Sequence, residues 1–192
     1  NKLKKKVLSK ILSNFKKKNR IVYLFNANEK NKNQKNVDKI LKILLQNNFQ
    51  RNDCLISVGG GICGDISCYA ASIYKRGMKF VNMPTTLLAQ VDSSIGGKSG
   101  FNTPQGKNLI GTFYQPNLVI SDTNFLKTLP KREIICGYAE ILKHSLILNE
   151  KFFTFLDKNA SKILKIQSPF IEKSIIESCK IKKNIVEMDE NE

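Results

Sequence analysis

"GGGICGD", residues 59–65, follows the apolar run CLISV (54–58) and precedes the amphipathic stretch ISCYAASIYKRG (66–77), so its glycines fall where a strand hands over to a helix. Gly59, Gly61 and Gly64 satisfy G-x-G-x-x-G, a spacing that in this context lets backbone amides and a helix N-terminus approach a pyrophosphate closely. The acidic residue that usually ends the next strand and grips a ribose is missing, because KFVNMP (79–84) runs into Thr85 and Thr86. The stretch is therefore not an ordinary dinucleotide fingerprint. A tight turn whose glycines only let helix and strand pack stands as the alternative.

Working outward, strands alternate with helices. Residues 2–18 read as an amphipathic helix, RIVYLFN (20–26) as a buried strand and VDKILKILLQNN (37–48) as a second helix. After CLISV and a helix to about Arg76 come KFVNMPTT (79–86) as a strand and LLAQVDSS (87–94) as a short helix. GGKSGFNTPQGKN (96–108), with four glycines and a proline, reads as a loop, and NLVISD (117–122) as a last strand. This order predicts an α/β, Rossmann-like parallel sheet with ligands at the carboxyl ends of its strands. Beyond FLKTLPKRE (125–133) only helical periodicity remains, so residues 1–128 are expected to form the α/β domain and 129–192 the start of an all-α domain.

Composition narrows the functional classes. No apolar run reaches the roughly 20 residues of a membrane span, and NKLKKKVLSK lacks the core of a secretion signal, so a soluble protein is expected. The formal net charge of +16 raises nucleic acid as a partner, but the lysines are spread along the chain and the dense runs alternate with apolar residues at helical spacing. Attraction for small anions is the more economical inference. Five cysteines without a C-x-x-C indicate a reducing, cytoplasmic location and no cysteine metal site.

The stretch from GGGICGD through YKRG, PTTLLAQVDSSIGGKSGFNTPQGKNLIGTFYQP (84–116) and FLKTLPKRE to GYAEILKH (137–144) closely resembles 3-dehydroquinate synthase, over about ninety residues and in matching order. NEKNK (28–32) and EMDENE (187–192) extend the resemblance more weakly. It implies an NAD-dependent enzyme with a divalent metal, zinc or cobalt, that converts the sugar phosphate DAHP into 3-dehydroquinate and phosphate, a shikimate-pathway step. It also implies a homodimer.

Carried over by that resemblance, Gly61, Ile62, Cys63, Gly64 and Asp65 match the diphosphate loop, and Thr85 and Thr86 the next cofactor contact. Lys98 and Lys107 follow, then Phe125, Leu126, Lys127 and Thr128 as a nucleotide-contacting segment, with Glu29 and Lys32 on the ribose side. Ala27 and Asn28 depart from the family pattern there. For substrate the resemblance implies Asp92, Lys98, Lys107, Asn108 and Lys143, and Arg76 reaching into the neighbouring subunit's site. Read without it, Asp92 could equally cap a helix, Thr85 and Thr86 could do the same, and the lysines could be solvated.

Glu140, Lys143 and His144 are spaced i, i+3, i+4 and share one helix face. The resemblance assigns Glu140 as a metal ligand and takes two histidine ligands from further along. His144, the single histidine, is expected to be a polar or packing residue, and the chain as given to be inactive. The alternatives are another sugar phosphate cyclase that makes a cyclitol, or a non-catalytic remnant that binds nucleotide or a partner.

Overall fold

The computed structural model describes residues 5–16 and 20–188. Strands β1 (Cys54–Gly59), β2 (Lys79–Pro84) and β5 (Leu118–Val119) form a parallel sheet in the order β1-β2-β5. The β1–β2 register runs from Cys54 opposite Lys79 to Gly59 opposite Pro84, so the glycine loop and the Thr85–Thr86 turn leave the sheet side by side. Parallel neighbours need a crossover, supplied by helix α3 (Gly61–Ile73) and a 3₁₀ turn (Tyr74–Arg76).

Helix α1 spans Lys5–Ser13; of the expected helix 2–18, residues 14–16 lie beyond its end, and 2–4 and 17–18 lie outside the described residues. Helix α2 (Gln34–Gln46) starts where the Asn33 side chain accepts from the Asn36 amide. Its buried residues Val37, Ile40 and Leu44 follow the i, i+3, i+7 stripe and join Ile66, Ala70 and Phe80 in one core. Each such side chain contributes about 1.5–3 kcal/mol by leaving water.

Two expectations are corrected. RIVYLFN is not a strand: among the described residues, 20–26 form no ladder with another segment and Ile21, Val22, Tyr23 and Leu24 stay exposed, although they line one groove with β1, an edge strand of the sheet. The stretch 96–108 is not simply a loop. It contributes to an antiparallel hairpin of β3 (Lys98–Thr103) and β4 (Gly106–Phe113), in which Gly100 faces Gly111 and the absent side chains let the two backbones meet.

Helices α4 (Lys131–Leu148), α5 (Glu150–Leu164) and α6 (Phe170–Met188) follow without an intervening strand. Ile134, Tyr138 and Ile141 of α4 bury with Phe152, Leu156, Ile163, Ile171, Ile175 and Ile181. Leu87 and Val91, from the segment after β2, belong to the same core. Gly137 makes that contact possible, because a Cβ there would lie 2.6 Å from Leu87 Cβ and 2.7 Å from the Leu88 amide nitrogen. Among the described residues no helix is long and apolar enough to cross a membrane.

Candidate active site

The glycine loop sits at the carboxyl end of β1, with Gly60 as the N-cap of α3. The Cys63 and Gly64 amides turn inward to the Gly60 carbonyl at 3.0 and 3.1 Å, whereas those of Gly61 and Ile62 precede the first intrahelical bonds. None of the loop glycines has a positive φ, so close approach selects them. A Cβ on Gly61 would lie 2.9 Å from Ser93 Oγ, and one on Gly64 3.3 Å from Asn82 Nδ2. Cys63 turns its sulfur to Ser57 Oγ at 3.4 Å, and burial pushes its thiol pKa up. The Thr85 amide donates to Gly59 O at 2.8 Å, while Thr86 Oγ1 accepts from the Ala89 amide at 3.2 Å.

Lys32 is buried and joins the loop to the hairpin. Its Nζ lies 2.5 Å from Asp65 Oδ2 and donates to Asn108 Oδ1 at 2.6 Å. Asn108 is held at φ 55°, and its amide donates to Asn102 Oδ1 at 3.1 Å. Asn102 Nδ2 in turn donates to Glu29 Oε1 at 2.8 Å, a bond that lowers the Glu29 pKa. Burial raises the Asp65 pKa and outweighs the opposing pull of Lys32. Lys107 is exposed, with Nζ 3.6 Å from Glu29.

The second cluster forms where α4 and α6 meet a π-helical turn (Ala89–Ser93), a widened geometry in which the Ser94 amide reaches back to Ala89 O at 3.1 Å. Asp92 in this turn, Glu140 and His144 offer ligand atoms all within 4.8 Å of one another. Two carboxylate oxygens and an imidazole nitrogen make a donor set suited to a divalent cation. Lys143 Nζ contacts Glu140 Oε1, and Lys182 Nζ contacts Asp92 Oδ1 and donates to Asp92 O at 2.7 Å. His144 Nε2 is 3.3 Å from Glu140 Oε1 and Nδ1 is 2.7 Å from Ser178 Oγ. Burial lowers the His144 pKa against the opposing effect of Glu140.

The two regions adjoin through Ser93, the neighbour of Asp92. Gly64, Asp65, Ser93, Ser94 and Lys98 line a gap of about 10 Å³ between them. Other sequence-predicted residues lie apart. Arg76 is exposed beyond the far end of α3, at the side of the sheet where β2 begins, and does not join this cluster. Phe125 and Leu126 bury their side chains in the 3₁₀ helix Thr123–Thr128, Lys127 donates to Asn124 Oδ1 at 2.9 Å, and Thr128 donates to Phe125 O at 3.1 Å. A groove of about 400 Å³ lies between α1, residues 20–25, α2 and β1, with none of Asp92, Glu140 and His144 in its lining.

Sequence reasoning missed Lys182 and Ser178. The available signal was the i, i+4, i+8 series Ser174, Ser178, Lys182, a small polar stripe on an otherwise apolar helix face.

Comparison with known proteins places this arrangement. The family model for the 3-dehydroquinate synthase N-terminal region matches residues 22–136, and that for its C-terminal region matches residues 137–192. The chain is 67% identical over 171 residues to a 3-dehydroquinate synthase of Pelagibacter ubique, covering 89% of this chain and 46% of that protein. It is 50% identical over 166 residues to that of Bartonella quintana, covering 86% and 44%. The chain thus spans a little under half the length of these relatives. Among solved structures it is similar to 2-epi-5-epi-valiolone synthase from Streptomyces hygroscopicus with NAD⁺ and Zn²⁺ bound (TM-score 0.82, 28% identity, 86% of this chain and 47% of that one). It is also similar to 2-deoxy-scyllo-inosose synthase complexed with carbaglucose-6-phosphate, NAD⁺ and Co²⁺ (TM-score 0.73, 31% identity, 87% and 47%). With both family regions matched in sequence order along the α/β and helical parts described above, this chain belongs to the 3-dehydroquinate synthase family.

Proposed function

We propose that this chain supplies the cofactor-binding unit, residues 1–128, and the opening of the metal- and substrate-binding unit, residues 129–192, of an enzyme converting DAHP to 3-dehydroquinate and phosphate. The observation that carries the reading is the approach of the α3 N-terminus to Ser93, beside Asp92, whose carboxylate adjoins Glu140, His144 and Lys182. A cradle that a Cβ at Gly61 would crowd suits a diphosphate, and the carboxylate–imidazole set suits a divalent ion such as zinc or cobalt. When bound, NAD takes up and returns a hydride and the metal polarises the reacting oxygens.

The chain's own residues then bind and orient. The amides at Gly61 and Ile62 face the diphosphate, with Cys63, Gly64 and Asp65 shaping the turn. Thr85, Thr86 and residues 125–128 border the nucleotide, and Glu29 and Lys32 lie on its ribose side. Glu140 provides a metal ligand. Lys98, Lys107, Asn108, Lys143 and Lys182 hold the anionic groups of the sugar phosphate, where cations in a partly dry site act more strongly than in water. Asp92 keeps Lys182 at that site.

Arg76, exposed at the other end of the sheet, would serve a second copy in a homodimer. A cytoplasmic location fits five free cysteines with no disulfide. The test is calorimetry of NAD binding, followed by DAHP, sedoheptulose 7-phosphate and glucose 6-phosphate in the presence of NAD and Zn²⁺. Selective binding of DAHP is expected. Preference for either other sugar phosphate would make the protein a different cyclase, and no NAD binding would leave the glycine loop with a packing role alone.

A further inference from the structure

We infer that Gln90 is a positioning residue: its side-chain amide holds the end of β2 and the chain beyond β5 against the π-helical turn that carries Asp92, so that one buried group sets the nucleotide side of the site in register with the phosphate side. This rests on the reading of Thr85, Thr86 and residues 125–128 as nucleotide contacts and of Lys182 as a phosphate contact. Gln90 is 1% exposed, and its Nε2 donates to Pro84 O at 3.2 Å and to Asp122 O at 3.1 Å. Its Oε1 is buried and has no hydrogen-bond partner among the described residues. Burying an amide with its oxygen orphaned is costly, and turning the amide over would press that oxygen against both carbonyls. The two N–H donors are therefore what the position uses, and a hydrocarbon side chain of the same length would supply neither.

Each carbonyl belongs to a segment at the site. Pro84 ends β2 and leads into Thr85, whose amide donates to Gly59 O at 2.8 Å and so ties the glycine loop to the same point. Asp122 caps the 3₁₀ helix Thr123–Thr128, its Oδ1 accepting from the Asn124 amide at 2.8 Å. The backbone of Gln90 faces the helical part instead, its carbonyl accepting from Cys179 Sγ of α6 at 3.4 Å. Lys182, three residues further along α6, donates to Asp92 O, two residues beyond Gln90, at 2.7 Å. Without the amide, the turn would stay attached to α6 and lose its tie to the strand ends.

The experiment combines nitrogen NMR of the isotope-labelled chain, which sees the Gln90 side-chain amide directly, with calorimetry of NAD and of inorganic phosphate. Both Nε2 protons should exchange slowly with solvent, and both should shift when either ligand is added. Gln90→Met, which keeps the length and removes the donors, should weaken NAD and phosphate alike by about tenfold, the equivalent of one lost hydrogen bond. Ile163→Val, in the helical core on α5, is the control for lost stability alone: it should lower the thermal midpoint and leave both affinities unchanged. Unchanged affinities in the Met variant, or equal weakening in the two variants, would overturn the inference. If the Met variant fails to fold, the parent chain still decides: fast exchange of the Nε2 protons, or signals indifferent to ligands that do bind, would overturn it as well. A parent chain that binds neither NAD nor phosphate, with the Gln90 amide protected, would instead remove the reading of the site on which the inference rests.

Discussion

Lys32 and Asp65 meet through an Nζ–Oδ2 contact of 2.5 Å between side chains only 8% and 18% exposed, which ties the entry to α2 onto the first turns of α3. Removing one member of such a pair strands the other. Lys32→Met should cost about 3 kcal/mol near neutral pH, read by urea denaturation. The penalty has a direction with pH. Burial already raises the Asp65 pKa above its ordinary 3.8, and losing Lys32 raises it further. The folded state then holds a proton that the unfolded state has released, so stability falls as pH rises from about 3.8 through the folded pKa. The variant should therefore approach the parent at acid pH and fall furthest behind it above that window. A pH-independent difference would contradict the mechanism. Lys32→Met combined with Asp65→Asn should recover most of the loss.

Gly61 and Gly64 should respond differently to the same substitution. A side chain on Gly64 meets the Asn82 amide between helix and strand, so Gly64→Val should lower stability by about 1–3 kcal/mol. At Gly61 the first obstacle is the movable Ser93 hydroxyl, so Gly61→Val should spare the fold and weaken NAD binding. Thermal midpoints and NAD calorimetry on both variants separate the two roles. Equal loss of stability in both would return the whole loop to packing.

Lys182→Met should weaken inorganic phosphate and DAHP binding at least about tenfold, because it removes a cation from a partly dry site and leaves the Asp92 carboxylate facing the anion. Lys180, paired with Glu177 on the exposed side of α6, is the control, and Lys180→Met should change little. Equal effects of the two substitutions would show that only bulk charge matters.

Cysteine accessibility gives a test that needs no ligand. Cys136 is exposed, whereas burial pushes the Cys68 thiol to about 12 and the Cys179 thiol to about 11. Alkylation at pH 8 followed by mass spectrometry should mark Cys136 early and spare Cys68 and Cys179 until denaturant is added. Early modification of Cys68 would contradict its burial under the Tyr114 carbonyl, 3.2 Å from its sulfur.

What the sequence revealed depended on whether the signal was periodic. Val37, Ile40 and Leu44, or Ile134, Tyr138 and Ile141, announce their helices because one face is buried along its length. RIVYLFN carries enough apolar side chains for a strand, but strand formation also requires a ladder partner, and composition cannot report one. The hairpin was hidden for the opposite reason: Gly100 and Gly111 look like loop residues when read singly and become strand residues only when paired. The candidate site divides in the same way. The glycine spacing is local and legible, whereas the meeting of Asp92 with Lys182 spans ninety positions and depends on how α6 crosses the π-helical turn.

The division between parallel strands and consecutive helices also bears on the order of assembly. β1, β2 and β5 acquire ladders only after long crossovers have closed, whereas α4, α5 and α6 contact neighbours a short distance along the chain. Local contacts form at lower loop-closure entropy and therefore sooner. In pulse-labelled hydrogen exchange, amides around Ile141, Leu156 and Ile175 should gain protection before those of Val58 and Val81. The helical surface bearing Glu140 and Lys182 would then stand as the template onto which the turn carrying Asp92 docks, so that these helices take shape before the strands that precede them.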